Sequence, residues 1–274
     1  MQITILSDNN TSGKLQAEHG LSILIRQENQ SILFDTGASD IFIKNAELLG
    51  IRIADIDKLI LSHGHKDHTG GLKYFLENNQ KAKIYISAEV EGKKFYSLKN
   101  DTKRDISVDN QLIIQNNTRF SFIHNTTFII PRIALLCKFG NKYPLPKANQ
   151  RLLLSDKENE LQDNFAHEIA LAINTSKGIV VFSGCCHNGL LNILASCSSL
   201  FPEKEIISCI GGTHLIDNYE TITEIQETAH FIKNNHPQLR LYTGHCTGES
   251  AAQVFNETLK DNLKLFHAGY SFNI

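Results

Sequence analysis

Residues 61–72 read Leu-Ser-His-Gly-His-Lys-Asp-His-Thr-Gly-Gly-Leu, and this stretch constrains the chain more than any other. Three imidazoles and one carboxylate fall within six positions, as His63-x-His65-x-Asp67-His68. The apolar run Leu59-Ile60-Leu61 leads in, and Gly70-Gly71 leads out. A short apolar run followed by a glycine-rich turn reads as a buried strand that delivers its cargo at its C-terminal end. Clustered His and Asp suit a borderline divalent cation: zinc first, with iron or manganese as alternatives. Such an ion acidifies bound water or polarises a phosphoryl or carbonyl oxygen. A structural zinc site usually closes four Cys or His ligands around the ion. Asp67 and the further histidines point instead to an open site on a metal-dependent enzyme.

Little in the composition competes with that reading. The formal net charge is −2, so nothing electrostatic favours nucleic acid or an anionic membrane as partner. No apolar run approaches the roughly 20 residues that span a bilayer. The N-terminal MQITILSDNN lacks a basic region and turns polar too early for a signal peptide. The six cysteines include no CxxC pair. Reduced thiols in the cytoplasm are therefore expected, most of them small core residues. The expected partner is a small-molecule substrate, and the sequence does not specify an oligomeric state.

Alternation over 2–7 and the pair 21–26 and 30–35, around a polar turn at Glu28-Asn29, predict strands and a hairpin. Residues 39–49 have helical spacing, with Ser39 or Asp40 as cap and Gly50 as stop. A strand over 57–62, a helix from Gly70 to Asn78 and a strand over 83–87 follow. Residues 91–165 are less regular, with possible strands at 120–123 and 126–130 and a two-proline loop, Lys142–Gln150. They read as an insertion or lid beside the site, within a single domain of residues 1–274. Beyond it, strands are expected at 168–174, 178–184, 205–210, 239–243 and 263–267. Helices are expected at 188–199, 219–234 and 249–260. Hairpins followed by βαβ-like units in each half suggest two similar halves, each a sheet with outer helices.

Further His and Cys residues lie beside apolar strands: Glu18-His19-Gly20, Ala166-His167-Glu168, Gly184-Cys185-Cys186-His187, Gly211-Gly212-Thr213-His214 and Gly244-His245-Cys246. Three of these repeat one grammar: strand, glycine, then His or Cys. Strand C-termini along one sheet edge are where α/β proteins place their chemistry. His19 and His214 are candidates for contact with substrate.

HxHxDH at a strand end, preceded by Phe34-Asp35-Thr36-Gly37, resembles the metallo-β-lactamase superfamily. The resemblance spans nearly the whole chain. It implies an α/β fold, a four-layer αββα sandwich, with up to two metal ions. It also implies roles: His63 and His65 as ligands of a first metal, Asp67 and His68 of a second, and His245 as the final histidine of the second site. Asp35 would orient metal ligands by hydrogen bonding. The third histidine of the first site stays open between His167 and His187. On the register that selects His167, Cys185 occupies the bridging-aspartate position, a departure that would weaken a two-metal site or favour a softer ion.

The segments around His19, Cys185-Cys186-His187, His214 and His245-Cys246 are similar to a subgroup that includes a pterin-condensing synthase of methanopterin biosynthesis. Hydrolysis of a phosphoester or diphosphate by metal-bound hydroxide, with Asp67 as the catalytic carboxylate, is the first expectation. The second is a transferase that joins a dihydropterin diphosphate to an aminobenzene ribofuranosyl phosphate. The third is a metal-binding redox or sensor protein, suggested by Cys185, Cys186 and Cys246.

Overall fold

The computed structural model describes residues 1–27, 30–100, 102–156 and 159–274. The chain forms two compact units. The first comprises residues 1–124, 151–167 and 267–274; the second comprises 125–150 and 168–266.

In the first unit, strands Gln2–Ser7, Ser22–Gln27, Gln30–Phe34, Lys58–Ile60, Lys83–Ser87 and Phe120–Ile123 lie side by side in that order, with Ser271–Asn273 outside the first. Pairing is antiparallel up to Gln30–Phe34 and parallel beyond it. Ser22–Gln27 and Gln30–Phe34 pair as the expected hairpin, whose turn at Glu28-Asn29 lies outside the described residues. Helices Ile41–Leu48 and Leu72–Asn78 bury Phe42, Ala46, Leu72 and Phe75 against Leu24, Leu33, Leu59 and Ile84 of the sheet. Burial of each such side chain contributes roughly 1.5–3 kcal/mol. Asp40 is the N-cap residue of the first helix but makes no side-chain cap bond there. Gly50 ends that segment at a φ of +69°.

A smaller sheet completes this unit, with the order Asn159–Gln162, Leu152–Asp156, Lys93–Lys99, Thr102–Asp105. Its Phe95 and Leu154 join the same core. Thr102–Asp105 is exposed throughout, so no apolar alternation marked it in the sequence.

The second unit repeats the grammar. Strands run in the order Leu263–Leu265, Arg240–Thr243, Ile206–Ile210, Ile179–Phe182, Ala170–Asn174, Ile133–Leu136 and Thr127–Ile130. The first three pairings are parallel and the rest antiparallel. Helices Leu190–Leu200, Ile222–Asn235 and Glu249–Leu259 cover it through Ile193, Cys197, Ala229, Ile232 and Phe255. A complete capping box fixes the start of the middle helix: Thr221 accepts from the Glu224 amide, and the Glu224 carboxylate accepts from the Thr221 amide.

Segment 91–165 is divided between the units. Its strands Lys93–Lys99, Thr102–Asp105, Leu152–Asp156 and Asn159–Gln162 build the small sheet of the first unit, Phe120–Ile123 joins that unit's large sheet, and residues 125–150 belong to the second unit. All six cysteines are buried, and burial pushes the thiols of Cys197 and Cys209 up to about 12. Among the described residues, no helix is long and apolar enough to cross a membrane.

The helix expected from near Gly70 to about Asn78 runs over Leu72–Asn78, and a separate helical turn, Lys66–Thr69, precedes it. Gly70 and Gly71 pass so close to the Asp35-Thr36-Gly37 loop and its continuation that any Cβ would collide. One on Gly71 would lie 2.2 Å from the Thr36 carbonyl oxygen and 2.7 Å from the Phe42 ring. Gly71 has a φ of −77°, open to any residue, so the constraint is space alone. Gly71→Ala is expected to cost about 1–3 kcal/mol, read as a lower urea midpoint at unchanged slope. An unchanged midpoint would mean that the loop yields freely.

Candidate functional site

Strand Lys58–Ile60 ends at Leu61-Ser62, and the chain then turns sharply through buried His63, Gly64 and buried His65. Gly64 is obligatory here, because a Cβ would lie 2.4 Å from the Phe95 ring. Lys66–Thr69 follows as one helical turn carrying Asp67 and His68. The small sheet's flank secures this loop: the Lys66 amide donates to the Ile106 carbonyl (2.7 Å) and the Val108 amide to the Gly64 carbonyl (2.8 Å). The Thr36 amide and hydroxyl both donate to the His68 carbonyl, at 2.8 and 3.0 Å.

Asp35 lies at the centre. It is fully buried with a φ of +63°, a left-handed conformation that costs about 1–3 kcal/mol in a non-glycine residue. Its Oδ1 accepts the Ser62 amide at 2.7 Å. Its Oδ2 accepts the Ser62 hydroxyl and His68 Nδ1, both at 2.7 Å. Since the Ser62 hydroxyl proton goes to Asp35, its oxygen accepts from His63 Nδ1, 2.8 Å away. Both rings therefore carry the proton on Nδ1 and the lone pair on Nε2, the nitrogen that would meet a cation. Burial, reinforced by the neighbouring His68, His65 and His167, pushes the His63 pKa well down, so its ring is neutral at neutral pH. One donor atom from each of His63, His65 and Asp67 lies within 4.8 Å of the others. The His63 and His68 rings are 4.2 Å apart.

His167 is also buried, and both its nitrogens are engaged. Nδ1 accepts the Gly64 amide at 3.0 Å, and Nε2 donates to Asp163 Oδ2 at 3.1 Å. The same Asp163 oxygen lies 3.7 Å from His65 Nε2. Burial opposes ionisation of Asp163, but His167 and His65 prevail and hold its carboxyl well below the usual range. His19, by contrast, is largely exposed; its Nδ1 pairs with Asn9 and its Nε2 lies 3.4 Å from Asp67 Oδ2. Glu18, missed in the sequence, accepts from Ser7, the Ala38 amide and Ser39 and so fixes the 37–39 turn.

In the second unit, parallel strand ends again carry the polar groups. Past Ile179–Phe182 come Cys185, Cys186 and His187; past Ile206–Ile210, His214; past Arg240–Thr243, His245 and Cys246. Cys186, His214 and His245 have φ values of 58°, 52° and 52°. Strained backbone of this kind clusters at functional sites. Donor atoms of Cys185, His214 and Cys246 lie within 4.8 Å of one another, and the His187 and His214 rings are 4.2 Å apart. Burial alone would raise the Cys246 pKa, but Cys185, His214 and His245 outweigh it and bring the thiol well below its ordinary range.

His187 is oriented by Asn149, whose Oδ1 accepts from His187 Nδ1 (3.0 Å) and whose amide donates to the His187 carbonyl (2.8 Å). The lone pair again falls on Nε2. Buried Glu168 accepts the amides of His187 and Asn188 and the Asn188 side chain, at 2.7–2.8 Å. Burial raises its carboxyl pKa against these bonds. Asp163, Glu168 and Asn149 also escaped the sequence reading. Only Glu168 carried a signal, as a charge heading the apolar run 169–173.

The model of the metallo-beta-lactamase superfamily matches residues 15–184. The chain is 30% identical to the 7,8-dihydropterin-6-methyl-4-(beta-D-ribofuranosyl)-aminobenzene-5'-phosphate synthase of Methanocaldococcus jannaschii, over 92% of this chain and 89% of that protein. It is similar over its full length to Tm1679, solved as a metal-dependent hydrolase of the beta-lactamase superfamily, which it covers to 99% (TM-score 0.86, 29% identity). The fold is shared with Zn2+-bound PqqB from Methylobacterium extorquens (TM-score 0.57, 10% identity, full coverage of both chains). With its mixed α/β sheets and its HxHxDH loop, this chain belongs to the metallo-β-lactamase superfamily.

Proposed function

We propose that the protein is a metal-dependent enzyme that cleaves a phosphoester or diphosphate bond of a small organic molecule, with water as the attacking group. The observation that carries this reading is the Asp35–Ser62 network. It turns Nε2 of His63 and of His68 into lone-pair donors beside His65 and Asp67. Imidazole nitrogen with carboxylate oxygen is a donor set suited to zinc, with iron or manganese as alternatives. When bound, such an ion acidifies water and offsets the charge of a phosphoryl group.

His63 and His65 would hold a first ion, and Asp67, His68 and His245 a second. His187 and Cys185 are proposed as further ligands, on the superfamily resemblance. His167 is better suited to positioning: it fixes the Gly64 amide between the two first-ion histidines. His214 is proposed to contact substrate. Water oxygen bonds to phosphorus and the ester P–O bond breaks. One proton passes from the water to the leaving oxygen by way of Asp67 Oδ2, which His19 steadies at 3.4 Å.

A second reading, supported by the 30% identity to the M. jannaschii synthase, is a condensation. The amine of an aminobenzene would form an N–C bond as the C–O bond to a diphosphate breaks, and the diphosphate would leave with the electron pair. Product analysis separates the two. A dihydropterin diphosphate offered with and without an aminobenzene acceptor should release phosphate or diphosphate at equal rates under the first reading. Release that requires the acceptor would establish the second.

Asp35→Ala removes the acceptor for Ser62 and His68 without touching the donor atoms. Metal affinity is expected to fall about 10–100-fold, followed by competition with a chromophoric chelator. Affinity equal to wild type would mean that the rings do not depend on Asp35 for their orientation.

A further inference from the structure

We propose that Cys185, His214 and Cys246 form a three-coordinate site in the second unit for a soft monovalent cation of the copper(I) class. The site goes beyond the reading above and does not depend on it; Cys185 and His214 occur in both, and the test separates the two uses. One donor atom from each of the three residues lies within 4.8 Å of the others. All three are buried, at 3%, 5% and 8% exposure. Three donors about 2.0–2.3 Å from a common ion lie roughly 3.5–4 Å apart, so the set closes with shifts of about 1 Å or less.

Adjacent parallel strands supply one donor each. Cys185 follows Ile179–Phe182, His214 follows Ile206–Ile210 and Cys246 follows Arg240–Thr243. The three turns are locked to one another before any ion arrives. The Gly212 amide donates to the Gly184 carbonyl (2.8 Å). The Thr213 amide donates to the Thr247 hydroxyl oxygen (3.2 Å), which lies 2.9 Å from the Thr213 hydroxyl. The Cys246 thiol reaches the Cys185 carbonyl at 3.7 Å. Gly212 leaves room for that sulfur, since a Cβ there would collide with it.

The donors select the ion. His214 holds a left-handed φ of 52°, and both nitrogens of its ring are sealed from solvent with no hydrogen-bond partner among the described residues. Burying an imidazole in this way is unfavourable, and a cation held between it and the two sulfurs would offset that. Two sulfurs and one imidazole are a soft set, which favours copper(I) over magnesium, calcium or manganese. Zinc in a structural site takes four ligands, whereas copper(I) is stable with three in a dry pocket. Binding displaces the two thiol protons to water and changes no oxidation state.

The test titrates the full chain, stripped of metal and kept reduced under argon, with copper(I) in competition with bicinchoninate. One equivalent per chain is expected to be held against the chelator, with thiolate-to-copper absorption in the ultraviolet. Cys246→Ser and His214→Ala should each weaken binding by at least about tenfold. Cys197→Ala, in the core of the same unit but outside the set, should leave it unchanged. X-ray absorption at the copper edge of the loaded wild type should show two sulfur neighbours and one nitrogen, whatever the variants do to folding. No copper retained against the chelator, equal binding by wild type and Cys246→Ser, or a copper shell without sulfur would overturn the proposal. So would copper binding that is lost when His63 and His65 are both replaced by alanine, which would place the ion in the HxHxDH loop. Copper binding that survives that double replacement, in a protein that no longer takes up zinc, iron or manganese, would support the site and keep it separate from the HxHxDH reading.

Discussion

The carboxylate of Asp35 accepts three hydrogen bonds of 2.7 Å, and the geometry of the HxHxDH loop depends on them. It sits where strand Gln30–Phe34 ends, next to the end of the parallel strand Lys58–Ile60. Parallel register brings the two strand ends level, so one buried acid reaches the Ser62 backbone, the Ser62 hydroxyl and the His68 ring together. Asp35 pays for this with a left-handed backbone. Thr36 then holds the His68 carbonyl, and Gly70 and Gly71 supply the clearance the loop needs. Without that carboxylate, the protons of His63 and His68 would have no defined place, and neither would their lone pairs.

The second unit solves the same problem with a neutral group. Asn149 engages Nδ1 of His187 and leaves Nε2 as the basic nitrogen, while Glu168 pins the backbone of the same turn. Both units thus deliver imidazoles past the C-terminal ends of parallel strands, and buried polar neighbours fix the tautomers of His63, His68 and His187. Such neighbours are costly to bury unless every bond is made, and these bonds are made.

This division explains what could be read from the sequence. The strands that carry the histidines are short, largely apolar runs, two of them followed directly by Gly211 and Gly244, so their positions were legible at Leu59–Leu61, Ile206–Ile210 and Arg240–Thr243. Asp35 was legible because Asp-Thr-Gly follows such a run. The groups that orient the rings were not: Asn149 and Asp163 lie in polar segments with no periodicity, and their partners are 38 and 4 residues away, respectively. The strands of the small sheet escaped for a similar reason, since Lys93–Lys99 and Thr102–Asp105 are held by ladder bonds and expose much of their length. Spacing also left His167 and His187 equivalent as ligands. Their neighbours separate them: His167 spends one nitrogen on Gly64 and the other on Asp163, whereas Asn149 sets His187 Nε2 as the lone-pair nitrogen.

The most direct measurement is metal identity and stoichiometry by elemental analysis of the full chain, purified without added metal. The account predicts between one and two equivalents of zinc, iron or manganese per chain, lost when His63 and His65 are both replaced by alanine. Protein that carries no transition metal after gentle purification, and takes none up on addition, would contradict it.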